Sequence, residues 1–247
     1  LSFFIIGLFV GLSLALTGSG GALLSIPLFM SFLEFTLKEA TFYSLLVVAI
    51  ASFLSVCFNL KSVNVKYALL MAIGSFIGSY VSNDMKKSFP DYVIISMLYL
   101  ICSYSLFLIW KPRKNHLIQD YRVTRIWLLI FSGLLLGVLT TLTGLGGGVV
   151  LLPLLIRFFG FDESKAIGTS LMIILFSSGI SFFIQYSHVM RRPHFIEVIS
   201  IFFGVIIANI LMKYLLGKLN QNVVFLLRRT LYSSIVIFTL FSLTFRR

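Results

Sequence analysis

Apolar residues in this chain run in long uncharged blocks separated by short polar gaps. No charge falls between residues 1 and 33, between 40 and 60, or between 126 and 156. A membrane-spanning helix needs about 20 largely apolar residues, so blocks of this kind predict helices in lipid. Ten apolar segments can be marked: 1–17, 22–33, 40–59, 67–83 and 91–110, then 126–142, 148–159, 165–187, 194–213 and 221–244. The second and seventh are too short to span. At 1.5 Å per residue each reaches only about 18 Å of a hydrocarbon core about 30 Å thick. They predict half-helices.

The same pattern occurs twice. Thr17-Gly18-Ser19-Gly20-Gly21-Ala22 with Pro27 returns 126 residues on as Thr143-Gly144-Leu145-Gly146-Gly147-Gly148 with Pro153. The register continues without a gap on both sides of the motif: Gly7 matches Gly133, Gly11 matches Gly137, Ala40 matches Ala166, and Ser44-Leu45 matches Ser170-Leu171. This reads as an internal duplication. The predicted fold is an all-α polytopic membrane protein of two repeats, residues 1–110 and 126–247, joined by a basic linker at 111–125. Each repeat holds a glycine-broken hairpin or half-helix plus three spanning helices. If the first two segments of each copy form a hairpin, the copies are inverted. If they form one broken span, the copies are parallel. Charge placement leaves both open, and the inverted arrangement is favoured because it brings two glycine turns to one midplane site.

Composition agrees with a membrane class. Hydrophobic residues make up 59% and charged residues 11%, against about 25% charged in an average soluble domain. A single cleaved secretory signal does not fit, because apolar runs continue to the C-terminus. The chain begins at Leu1 without Met, which leaves the native start open. The net charge of +12 sits mostly in short loops, with Lys111, Arg113, Lys114, Arg122 and Arg125 between the repeats. These read as topogenic flanks rather than a nucleic-acid surface, with the 111–125 loop on the cytoplasmic side. Cys57 and Cys102 lie in apolar runs with no Cys-x-x-Cys spacing and no nearby His pair, so no zinc site or disulfide framework is supported. No cofactor or metal ion is implied.

The glycine runs carry the candidate chemistry. Backbone groups left unpaired in hydrocarbon cost several kcal/mol each, so a broken helix persists only where it lines a cavity or meets a ligand. A half-helix N-terminus offers free N–H groups and a positive dipole end, which suits an anion. The candidate binding residues are Thr17, Gly18, Gly20, Gly21 and Ala22, and Thr143, Gly144, Gly146, Gly147 and Gly148. Thr17 and Thr143 would add hydroxyl donors. Ser44 and Ser170, at matching register, are further candidates. Asn59 with Gln185, and Asn83 with Asn209, are equivalent amides that could hold an oxyanion or cap helix ends. Gly7-x-x-x-Gly11, Gly133-x-x-x-Gly137 and Gly74-x-x-x-Gly78 instead have the spacing of close helix packing.

Several classes drop out. No Lys follows either glycine run, which excludes a phosphate-binding Walker loop. No Ser/His/Asp set or His-Glu-x-x-His motif lies at depth, which speaks against a membrane hydrolase. The eight acids read as loop or helix-end residues, with Glu197 alone entering a helix, in its first turn. That placement argues against coupling through a buried carboxylate, and the lack of acidic rings argues against a cation channel. A non-transporting membrane scaffold or assembly subunit is the competing class.

The duplicated Thr-Gly-x-Gly-Gly…Pro segment, followed by Ala40…Ser44-Leu45 and Ala166…Thr169-Ser170-Leu171, resembles the sulfite exporter TauE/SafE family of membrane permeases. The resemblance covers nearly the whole chain, and the second copy is nearer the usual pattern. The first departs at Ala22, where a third glycine is common, and lacks Thr before Ser44. The resemblance implies transport, by export, of a small sulfur-containing anion such as sulfite or a sulfonate across a bacterial-type inner membrane. Related thiosulfate importers use cysteines at the pore centre, whereas Cys57 and Cys102 lie outside the glycine motif. The expected partners are a small anionic substrate and the lipid bilayer.

Overall fold

In the computed structural model, residues 1–17, 21–110, 126–186, 193–218 and 221–244 are described. They form ten α-helices: α1 Ser2–Thr17, α2 Gly21–Leu33, α3 Leu37–Asn59, α4 Val65–Ser88, α5 Asp91–Trp110, α6 Ile126–Thr143, α7 Gly148–Arg157, α8 Glu163–Tyr186, α9 Phe195–Lys218 and α10 Gln221–Thr244, with a single 3-10 turn at Leu60–Ser62. Among the described residues, five stretches are long and apolar enough to cross a membrane: Leu37–Ser62, Val65–Lys86, Ile126–Thr143, Glu163–Tyr186 and Phe195–Leu215. Shorter apolar helices are Ser2–Thr17, Leu23–Leu33 and Asp91–Tyr104. The two short segments are indeed short helices, and each carries its proline inside, Pro27 in α2 and Pro153 in α7.

Local sequence explains where the long helices begin. Thr36 caps α3 through a capping box, its hydroxyl accepting from the Glu39 amide while the Glu39 carboxylate accepts from the Thr36 amide. Asn64 caps α4 by accepting from the Tyr67 amide at 3.4 Å. One boundary departs from expectation. The fourth segment was expected to stop at 83, before Asp84, Lys86 and Lys87, yet α4 continues to Ser88. Asp84 therefore lies within the helix, on its exposed side, while Lys86 turns inward. The inward face of α4 also carries Ser75, Ser79 and Ser82, all fully buried. Its outward face carries Leu69, Ile73, Phe76, Ile77 and Tyr80, each 45% or more exposed. Polar inside and apolar outside inverts the soluble pattern and fits a helix whose outer face meets lipid.

Glycines set the closest contacts. A side chain at Gly74 or Gly78 of α4 would begin 2.0 to 2.1 Å from the Ile130 or Leu134 carbonyl oxygen of α6, and one at Gly133 or Gly137 would meet the Met71 or Ser75 carbonyl of α4 at 2.2 Å. Gly7 of α1 meets Ile201 of α9 in the same way, and Gly204 of α9 meets Phe4 and Leu8. These are packing glycines, as their spacing predicts. The pairing also gives direction. Met71 and Ser75 advance along α4 as Gly133 and Gly137 advance along α6, so these helices run parallel, as do α1 and α9. In contrast, α3 and α8 run antiparallel: Phe42 stacks on Phe182, while Ser62, just past the other end of α3, faces Ser164 and Gly168.

The first two helices form a hairpin. Gly21 at the start of α2 packs on Val10 and Leu14 near the end of α1, and Phe29 near the end of α2 packs on Phe3 at the start of α1. Phe3, Phe29, Phe35 and Tyr43 form one aromatic cluster with centroids 4.9 to 6.4 Å apart. The Tyr43 hydroxyl donates to Glu197 at 3.1 Å, which ties this base to the first turn of α9. The turn after α6 folds back on it, since Gly147 lies against Leu136 and Thr140, but α7 packs on α8 rather than on α6.

Candidate functional site

The second glycine run is a true break. Helix α6 ends at Thr143, and the Gly144 amide still donates to the Thr140 carbonyl at 2.8 Å. Gly144, Gly146 and Gly147 then take left-handed φ values of 71°, 65° and 70°. At Gly146 and Gly147 a side chain would carry a steric penalty on the backbone itself. Gly147 is the N-cap of α7 and its carbonyl accepts from Val150 and Leu151. The amides of Gly146, Gly147 and Gly148 donate to no backbone carbonyl among the described residues, as expected of a helix N-terminus.

Depth follows from the neighbours. A side chain at Gly146 would meet Val48 and Ile174, which sit at the middle of α3 (residues 37–59) and α8 (residues 163–186). The break therefore lies near the midpoint of two spanning helices. It is wrapped by α3, α6 and α8, with the Ser177 hydroxyl donating to the Gly146 carbonyl at 3.3 Å. Ser44 of α3 donates to the Gly144 carbonyl at 2.7 Å and also hydrogen-bonds Ser25 of α2. One side chain thus joins the first half-helix to the second break.

Gly18 and Gly20 lie outside the described residues. Gly21 and Ala22 are already helical, at the start of α2. The hydroxyls of Thr17 and Thr143 donate to the carbonyls of Ser13 and Leu139, at 2.7 and 2.6 Å. Ser170 donates to the Ile167 carbonyl at 2.8 Å. The equivalent amides diverge: Asn209 of α9 accepts from Ser55 of α3 at 2.9 Å, Asn59 donates to the Ser55 carbonyl, and Gln185 joins a polar network described below.

Two residues absent from the sequence-based candidates stand out. Thr140 is fully buried, and its hydroxyl alone among described buried side-chain polar atoms has no hydrogen-bond partner. It points at the turn, 2.9 Å from where a Gly147 side chain would begin. Lys86 of α4 is 7% exposed, and its ammonium donates to Thr41 at 2.9 Å and Gln185 at 2.8 Å. Gln185 donates in turn to the Thr141 carbonyl at 3.3 Å. Ser181 hydrogen-bonds both Thr141 and Ser79. The signal for Lys86 was present: Ser75, Ser79, Ser82 and Lys86 recur at steps of four, three and four, which is one helix face.

A polar seam leading to a mid-span glycine turn belongs in a transporter, and comparison with known proteins agrees. The model of the family described as Sulfite exporter TauE/SafE matches residues 3–241. The chain belongs to that family. The TauE/SafE family is one of membrane transporters, not enzymes, so the chain is read as a multi-pass membrane transporter. It is also similar to the "Probable membrane transporter protein MJ0441" of Methanocaldococcus jannaschii, 29% identical over 187 residues covering 70% of this chain and 67% of that protein. No solved structure matches the chain.

Proposed function

We propose that this TauE/SafE protein moves a small oxyanion, a sulfur oxyanion such as sulfite or an organosulfonate, outward across the cytoplasmic membrane, and that the Gly144–Gly148 turn binds it. The observation that carries this reading is the partnerless, fully buried Thr140 hydroxyl aimed at the turn. A buried hydroxyl without a partner costs about 1–3 kcal/mol. An oxyanion held by Thr140 and the Gly146–Gly148 amides satisfies all of them together and sits at a positive helix end. A negative cell interior drives an anion outward by about 2.3 kcal/mol per charge per 100 mV, so export needs no ion coupling.

The two halves, residues 1–110 and 126–247, are proposed to be inverted repeats. Support comes from the reciprocal packing of α1 with α9 and of α6 with α4, and from the antiparallel run of α3 and α8, which occupy the same place in each half. The hairpin α1–α2 provides a reversal of the kind that inversion requires.

The test is anion-dependent thermal stabilisation of purified protein across sulfite, sulfate, thiosulfate, sulfonates and carboxylates. Stabilisation by one sulfur oxyanion class, lost in Thr140→Val, is expected. A wild-type protein indifferent to all of these anions would sink the reading and leave the scaffold class standing.

A further inference from the structure

Lys86 is the feature that this turn does not account for. Its ammonium is buried against two neutral oxygens, Thr41 Oγ1 and Gln185 Oε1. No carboxylate forms an ion pair with it among the described residues. Lys38, one turn before Thr41 on α3, has an acidic neighbour, Asp91 at 3.9 Å, and both of those side chains are more than half exposed. Asp84 is on the exposed side of α4. A buried charge without a counter-charge is costly, and an anion beside it lowers that cost. The other buried polar residues of α4, Ser75, Ser79, Ser82 and Asn83, carry no charge, and Ser79 bridges to Gly137 of α6 and Ser181 of α8 without one. A mere polar linker at position 86 would need no ammonium.

The position of Lys86 relative to the glycine turn is also defined. Thr41 touches both. Its hydroxyl accepts from Lys86, and its backbone and Cβ lie 2.7 to 2.8 Å from where a Gly144 side chain would begin. Thr41 is near the start of α3, Lys86 near the end of α4 and Gln185 near the end of α8. These three ends lie together, so Lys86 stands between the turn and the membrane face where α3 begins. Its counterpart 126 residues on is Met212, so the charge exists on one side of the break only.

We propose that Lys86 is a substrate-binding residue: it supplies the positive charge that meets the anion on its way between the Gly144–Gly148 turn and the membrane face at the start of α3. The inference rests on the anion reading of the turn and assigns the substrate an obligatory negative charge facing Lys86.

The experiment titrates purified full-length protein with sodium sulfite and follows the melting temperature, for wild type, Lys86→Gln, Lys86→Met and Lys86→Arg. Loss of a hydrogen bond to a charged group corresponds to about tenfold to hundredfold weaker binding. Both neutral variants are expected to need at least about tenfold more sulfite for half the shift, with Lys86→Arg within a few-fold of wild type. Lys86→Gln keeps polar contacts to Thr41 and Gln185, and it carries the test alone if Lys86→Met fails to insert. A purely structural role lowers the ligand-free melting temperature of the neutral variants without moving the half-shift concentration, and that result overturns the proposal. Arginine and the neutral variants failing equally also overturns it, because charge is then not what matters. Wild type showing no shift overturns the anion reading itself, whereas wild type shifting alongside unchanged neutral variants overturns only the role of Lys86.

Discussion

Gly21 and Gly147 are 126 residues apart and occupy the same place in the two motifs, yet they do different work. A side chain at Gly21 would meet the Leu14 Cβ at 2.6 Å and the Val10 carbonyl at 2.7 Å. A side chain at Gly147 would meet the Thr140 hydroxyl at 2.9 Å and Leu136 at 3.2 Å. Leu14 and Thr140 share the same offset, as do Val10 and Leu136. The neighbouring positions therefore correspond in both halves, while the backbone and the chemistry do not: Gly21 is helical and Gly147 is left-handed. In the first half the glycine lets two helices pack through a leucine. In the second, a left-handed glycine lies against a partnerless hydroxyl. Ala15 and Met212 in one set of positions, against Thr141 and Lys86 in the other, extend the same difference. On the proposed two-repeat reading, one scaffold occurs twice, and a few polar differences concentrate the polar chemistry on one side of it.

The sharpest test of that contrast compares the two glycines. Gly147→Val puts a β-branched residue at φ +70°, a backbone cost on the order of 1–3 kcal/mol, and blocks approach to the α7 amides. It is expected to abolish sulfite-induced stabilisation while the protein still inserts. Gly21→Ala overpacks α1 against α2, costing about 1–3 kcal/mol, and should lower the ligand-free melting temperature with the half-shift concentration unchanged. Equal loss of binding in both would restore the equal roles that the sequence motif alone suggests.

A smaller effect, of opposite sign for stability and binding, is expected at Thr140. Thr140→Val removes a buried hydroxyl that has no partner, so the ligand-free protein should gain about 1 kcal/mol or more, and sulfite affinity should fall. Melting curves with and without sulfite decide it. A destabilised ligand-free Thr140→Val would mean that the hydroxyl is already satisfied and would remove it from the site.

The smallest effect concerns the link between the halves. Ser44→Ala cuts the Ser25–Ser44–Gly144 connection. Hydrogen bonds between membrane helices average about 0.6 kcal/mol, so a loss of roughly 1 kcal/mol is expected, read from chemical or thermal unfolding. A loss several times larger would make Ser44 a principal support of the turn.

Ten helices, their approximate ends and the glycine break between α6 and α7 were legible in the chain, because hydrophobic runs, capping residues and glycine clusters act locally. The Gly-x-x-x-Gly contacts were legible for the same reason, since small residues at helical spacing mark a close approach whatever the partner. Lys86 was missed because the charges around it, Asp84 and Lys87, look like the edge of a loop. Only the packing of α4 against α6 and α8 turns one of those charges inward. Thr140 was missed because nothing in the sequence around it separates it from Thr141 and Thr143. What separates them is which acceptor each hydroxyl meets: Thr143 reaches the Leu139 carbonyl, Thr141 reaches Ser181, and Thr140 reaches nothing in the described protein. The sequence by itself determined the class, the helices and the break. The tertiary structure decided which polar groups are left unsatisfied beside it, because satisfaction depends on neighbours far apart in the chain.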